Sequence, residues 1–290
     1  LAVARAGPEA VAQLCAECGV TCEADLPWEA VARPEQLPPG GEWTTWVVKA
    51  GRGWGKTRAA AEAITSWVRA GVARQIALVG RTAADVRDIM VEGQSGLIGL
   101  ARATERPAYE PSKRKIVWPN GAVAHTYSAD EPDQLRGPQH DAAWADEAAS
   151  WPTTGVRGEH GSALDQLRLG LRMGVRPRLI VSTTPRPTKL IRGLLLEPST
   201  AVTGGSTYEN RMNLAASFLV QVEAKYRGTR LGRQELHGEV LEDVPGALWT
   251  RDVIDQRRVQ LAPDLWRVVV AIDPAVTNTE DSDETGIVAV

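Results

Sequence analysis

The chain has 290 residues, 43% of them hydrophobic, and a formal net charge of −3 at pH 7, which is apolar material for one full-sized core and part of a second. That balance excludes a globally basic nucleic-acid binder, so any contact with a polyanion has to come from a local basic face. No apolar run approaches the roughly 20 residues that span a bilayer and no basic-then-apolar leader opens the chain, so a soluble, intracellular protein with no membrane partner is expected.

Residues 1–41 mix a short helical pattern with Pro34, Pro38, Pro39, Gly40 and Gly41 and read as a lead-in arm. Its cysteines, Cys15, Cys18 and Cys22, raise zinc by their spacing, but a tetrahedral site needs a fourth ligand and no histidine is close. Reduced, incidental thiols are the expectation. The chain starts at Leu1 and its last residues, Gly286 to Val290, read as a strand that stops, so both ends read as truncated.

From Trp43 the run WTTWVVKA predicts a strand, and RAAAEAITSWVRAG after it predicts a helix. The connection, Ala50-Gly51-Arg52-Gly53-Trp54-Gly55-Lys56-Thr57, matches the Walker A phosphate-binding pattern except that alanine stands at the first glycine. A small residue suffices at that turn. Gly53 and Gly55 let backbone N–H groups point inward, Lys56 reaches the β/γ-phosphates of ATP at a helix N-terminus, and Thr57 ligates Mg2+. Trp54 is expected to pack rather than contact a base. Arg52 is either a solvated loop charge or a second cation beside the γ-phosphate.

The alternation repeats in QIALVG (75–80) and the helical AADVRDIMVEG, which predicts an α/β fold with a mostly parallel sheet flanked by helices. KRKIVWPNGAVAHTYSA then reads as a hairpin turning at Asn120-Gly121, because both residues tolerate positive φ. A short apolar strand at Ala142–Ala145 ends in Asp146 and Glu147, the Walker B form in which Asp146 holds the Mg2+ shell and Glu147 orients and polarises the attacking water. Acidic residues also favour the first turn of a helix, the competing structural explanation. After the helical LDQLRLGLRMG, a strand from Arg178 ends in Ser182, Thr183, Thr184 and Pro185, a polar tip able to bond the γ-phosphate or the water, or simply to cap a helix. A strand is expected over Ala201–Thr207 and arginine-rich helices from Asn213 to about Val240. RVVVAIDPAVTNTEDSDETGIVAV then gives strand, acidic loop and strand, the start of a new sheet.

Taken in order, ARPEQLPP, AGRGWGKT, YEPSKRKIVWPNGA, DQLRGPQHDAAWADEAASW, VSTTPRP, TYENRMNLAASFL and ALW near Trp249 resemble the large terminase subunits of tailed phages and gene-transfer agents. The resemblance covers most of the chain. It implies a RecA-like P-loop ATPase domain (42–208), a small linker or lid subdomain (209–262) and the start of an RNase H-like nuclease (263–290). The implied activity is an ATP-driven pump that moves double-stranded DNA into a procapsid, as a homo-oligomeric ring working with a small terminase subunit and the portal protein in the host cytoplasm. It makes Ser182 to Pro185 a coupling motif and offers Arg136, in LRGPQH, or Arg52 as arginine finger. Asp273 matches the first metal-binding aspartate of a nuclease using Mg2+ or Mn2+. A two-metal site needs further carboxylates, and Asp281, Asp283 and Glu284 read as solvated turn residues, so cutting by this chain is not expected. Two other functions compete: a helicase-like nucleic-acid translocase, which predicts a second RecA-like half, and a non-catalytic nucleic-acid-binding assembly fragment using Arg172, Arg176 and Arg178 or Arg227, Arg230 and Arg233.

Overall fold

The computed structural model describes residues 13, 15–17, 26–152, 162–240, 269–273 and 286–289, in two compact units, Leu1–Leu241 and Glu242–Val290. The first unit is built on an eight-stranded sheet, and the second contains one antiparallel strand pair.

Within the first unit the strands are β1 (Thr45–Lys49), β2 (Gln75–Gly80), β3 (Ala108–Glu110), β4 (Lys115–Val117), β5 (Val123–Ser128), β6 (Ala142–Asp146), β7 (Arg178–Thr183) and β8 (Thr200–Thr203). Their spatial order is β3-β4-β5-β2-β6-β7-β1-β8. All pairings from β5 to β8 are parallel, and only the β3-β4-β5 edge is antiparallel. The hairpin does turn at Asn120-Gly121, with Gly121 at φ +85°. Strand β3 escapes a pattern-based reading because three half-exposed residues carry no periodicity.

The near-continuous apolar runs of β1, β2, β6 and β7 follow from burial of both sheet faces. Trp46, Ile76, Leu78, Trp144 and Ile180 point to one face, where Ala60, Ile64 and Trp67 of α1 (Lys56–Arg69) cover them. Val47, Val79, Ala143, Ala145, Leu179 and Val181 point to the other, against Leu164 and Leu167 of α2 (Ala163–Gly170) and Ile191 and Leu194 of α3 (Lys189–Leu196). Ser162 caps α2 and Thr188 caps α3, each hydroxyl accepting from a backbone N–H of the first turn. The segment AADVRDIMVEG forms one α turn at Ala83–Asp85 and continues as a π-helix over Val86–Val91. After β8 come α4 (Ala216–Tyr226) and α5 (Arg230–Glu235).

In the second unit, β9 (Val270–Asp273) pairs antiparallel with β10 (Gly286–Ala289), Asp273 lying opposite Gly286. Among the described residues no helix is long and apolar enough to cross a membrane. Cys15 is buried; Cys18 and Cys22, the acidic residues 280–284 and Trp249 lie outside the described residues.

Candidate active site

In open parallel sheets ligands collect beyond the C-terminal strand ends, and three such ends meet here. Strand β7 lies between β1 and β6, with Lys49 in register with Thr183 and Asp146 in register with Ser182. The phosphate-loop strand, the polar tip and the acidic strand end are therefore consecutive along the sheet edge.

The loop from Ala50 to Lys56 delivers α1 into this edge. Gly53 and Gly55 sit at φ +74° and +102°, conformations that side chains resist. A Cβ on Gly55 would also stand 2.7 Å from Gln36 Nε2. Ala50 is fully buried and its backbone N–H donates to Thr183 O at 3.4 Å, with no need for positive φ, which is why alanine can replace glycine there. Lys56 is buried, and its Nζ donates to Ala50 O at 3.2 Å and Gly51 O at 3.4 Å and lies 3.6 Å from Glu147 Oε1.

Across the cleft, Glu147 is one of two described non-glycine residues at positive φ, at +46°. A left-handed glutamate is uncommon and is sustained only where its surroundings hold it. They do so here: Thr184 donates to Glu147 Oε2 from both its backbone N–H and its Oγ1, each at 3.1 Å, while the other oxygen faces Lys56. Asp146 is buried and accepts from Ser182 Oγ, which accepts in turn from Trp144 Nε1 at 2.8 Å. Burial raises the Asp146 carboxyl to about 6, with the Ser182 bond pulling it down and the Glu147 charge pushing it up. Thr183 Oγ1 accepts from Ala149 N–H at 3.1 Å and ties the turn after β6 to β7.

Thr57, Lys56, Asp146, Glu147 and Thr184 line one cavity of about 1270 Å³. Trp54 is fully buried, as packing requires, and its Nε1 donates to Glu209 at 3.0 Å. Arg52 lines the rim of the cavity, 69% exposed at its side chain, with its Nε 3.7 Å from Glu235. Arg136 does not line this cavity; it lies in a separate cleft of about 340 Å³ with Pro138, Gln166 and Arg172. Asp273 belongs to the second unit, at the end of β9.

Residues far along the chain complete the loop. Arg33 is buried, donates to Trp54 O and to Asn210 Oδ1 (3.0 Å), and stacks 4.9 Å from the centre of the Trp54 ring. From the C-terminal side, Gly205 O and Glu235 O accept from Gly51 and Arg52 N–H, and Thr207 Oγ1 and Asn210 Nδ2 donate to Arg52 O and Gly53 O, both at 2.7 Å. No spacing rule pairs positions 33 or 210 with a loop at 50–57, and only their presence within the ARPEQLPP and TYENRMNLAASFL motifs hinted at them.

Residues 47–256 match the family described as terminase large subunit, T4likevirus-type, N-terminal. Among curated proteins no sequence matches. The fold is similar to the large terminase ATPase domain of Thermus phage P74-26, at 17% identity and a TM-score of 0.53, over 79% of this chain and 98% of that one. It is likewise similar to the large terminase of a thermophilic bacteriophage in complex with ADP, at 14% identity and a TM-score of 0.51, over 87% of this chain and 60% of that one. At such identities the structures establish the RecA-like fold; the family match, over most of the chain, establishes the lineage. The chain belongs to the terminase large subunit family.

Proposed function

We propose that this chain is the motor part of a large terminase, an ATPase that translocates double-stranded DNA into a procapsid. One observation carries the reading: the two oxygens of Glu147 are divided between Lys56 of the phosphate loop and Thr184 of the β7 tip. A glutamate so placed can accept the proton of an attacking water and register, through Thr184, whether a phosphate lies opposite Lys56. Lys56 and the inward loop N–H groups bind the phosphates; Ser182 to Thr184 link their presence to the sheet.

Thr57 and Asp146 are the donors for Mg2+. One hydroxyl and one carboxylate suit a cation that keeps waters and takes other ligands from phosphate, and a buried carboxyl raised to about 6 is an electrostatic situation that a cation relieves. When bound, the ion neutralises β/γ-phosphate charge. The arrangement favours turnover over the non-catalytic alternative, since a binding fragment has no use for a strained, doubly held carboxylate.

The finer parts of the reading extend beyond this cavity. The ring, the small terminase subunit, the portal protein and the location on a procapsid in the host cytoplasm come with the family. So do the boundaries 42–208, 209–262 and 263–290, although α4 and α5 lie in the same compact unit as the sheet. The nuclease reading rests on Asp273 alone, and the chain spans 60% of the ADP-bound large terminase it resembles.

The test pairs two neighbours of the cavity. Glu147→Gln keeps nucleotide affinity and loses about 10²–10⁴ in single-turnover hydrolysis, as general-base removal does. Lys56→Ala loses binding or turnover altogether. Parental hydrolysis by Lys56→Ala would reject the phosphate-loop assignment.

A further inference from the structure

The cavity is lined by more cations than a triphosphate needs, and the structure separates them. Arg33, Arg52, Lys56, Arg58, Arg69 and Arg102 line it, and each bonds or pairs with a described neighbour. Arg81 and Arg186 line it too, and neither has a side-chain hydrogen bond or ion pair among the described residues. An unneutralised guanidinium in a cleft is an anion receptor, because it offers five fixed donors and cannot shed its charge.

Sheet order decides between them. Arg81 follows β2, which is three strands from β1 in the order β2-β6-β7-β1, or roughly 14 Å at the usual strand spacing. Arg186 follows β7, the strand in contact with both β1 and β6. Its backbone is also fixed to the catalytic edge: Arg186 N–H donates to Thr184 O at 2.8 Å, and Thr188 N–H donates to Arg186 O at 2.9 Å. Thr184 is the residue that holds Glu147. The turn held by these two bonds therefore places an exposed guanidinium, without a partner among the described residues, two positions after the residue that holds Glu147.

We propose that Arg186 is a catalytic residue of this chain's own site, donating to the terminal phosphoryl oxygens as charge shifts during hydrolysis. This rests on the nucleotide-site reading above. In that step the water oxygen bonds to the γ-phosphorus as the bond to the β–γ bridging oxygen breaks. The electron pair stays on ADP, and the water proton passes to Glu147 and then to solvent. Arg186 forms and breaks no covalent bond. Its part is to hold the phosphoryl oxygens in line, an electrostatic contribution that costs about 10²–10³ in kcat when one such donor is removed.

The experiment measures ATP turnover by the full chain, without and with duplex DNA, for the parent, Arg186→Ala, Arg186→Lys and Lys56→Ala. It also measures binding of ADP and of ADP with fluoroaluminate, a mimic of the phosphoryl group in flight. Arg186→Ala is expected to lose about 10² or more in kcat, to bind ADP as the parent does, and to lose affinity for the fluoroaluminate complex; Arg186→Lys recovers part of each. Equal losses for ADP and its fluoroaluminate complex would make Arg186 structural, and a loss seen only with DNA would make it a DNA contact; either overturns the proposal. If Lys56→Ala is inactive while Arg186→Ala turns over at the parental rate, this inference alone falls. If Lys56→Ala stays active, the nucleotide-site reading has failed first.

Discussion

The decisive residues of the site are held in conformations that their own chemistry resists. Glu147 occupies left-handed backbone at φ +46°, and the two Thr184 donors and Lys56 hold its side chain. Gly55 shows the same logic from the glycine side, with φ +102° and Gln36 Nε2 only 2.7 Å from where a Cβ would stand. Gly55→Ala is therefore expected to lose nucleotide binding and about 1–3 kcal/mol of stability, through backbone strain together with the clash. A fluorescent-nucleotide titration beside a denaturation midpoint checks both. Binding at parental affinity would mean that the loop relaxes without using positive φ.

Between elements, the entry to β6 is fastened to the end of α2 by His140. Its N–H donates to Gly170 O at 2.9 Å, its carbonyl accepts from Arg172 and Met173, and its ring meets Tyr127 of β5 edge-on at 5.6 Å. Burial lowers the imidazole to about 4, below the unfolded value near 6.5. The folded state thus prefers neutral His140. Its stabilising share is full above about pH 6.5 and is lost as pH falls from there toward about 4. Between pH 7 and pH 5 this amounts to about 2 kcal/mol, and His140→Phe, which keeps an aromatic ring facing Tyr127, is expected to flatten that part of the pH slope. Parallel slopes in denaturant titrations of parent and variant would remove His140 as the cause.

At the scale of the molecule, the arginines divide between inside and outside the cavity. Arg136 lies in its own cleft with Arg172, beside Leu169 at 65% exposure, and not among the residues lining the cavity of Lys56 and Glu147, which makes action on another copy of the chain the reading to test. Arg136→Ala is accordingly expected to leave turnover of the isolated chain unchanged and to lower that of the assembled ring by about 10³ or more, the range for a finger supplied in trans. Turnover measured across a concentration series that spans assembly distinguishes the two. Equal effects in both states would make Arg136 a structural arginine.

Read alone, the sequence determined the α/β alternation, the position of the glycine-rich loop between β1 and α1, the acidic strand end and the hairpin at Asn120-Gly121. Each is a local matter of periodicity, small residues or turn chemistry within a few positions. The order of the strands was not legible, because nothing local says that β7, which follows β6 in the chain, inserts between β6 and the distant β1. That insertion is what brings Thr184 to Glu147 and singles out Arg186 over Arg81. Arg33 was equally hidden, since its role depends on a contact with Trp54 across the chain rather than on any pattern around position 33. Tertiary structure also decided which charges are spent: Arg52 lies beside Glu235, whereas Arg186 has no such partner among the described residues. Ion pairing is non-local, and composition and spacing carry no record of it.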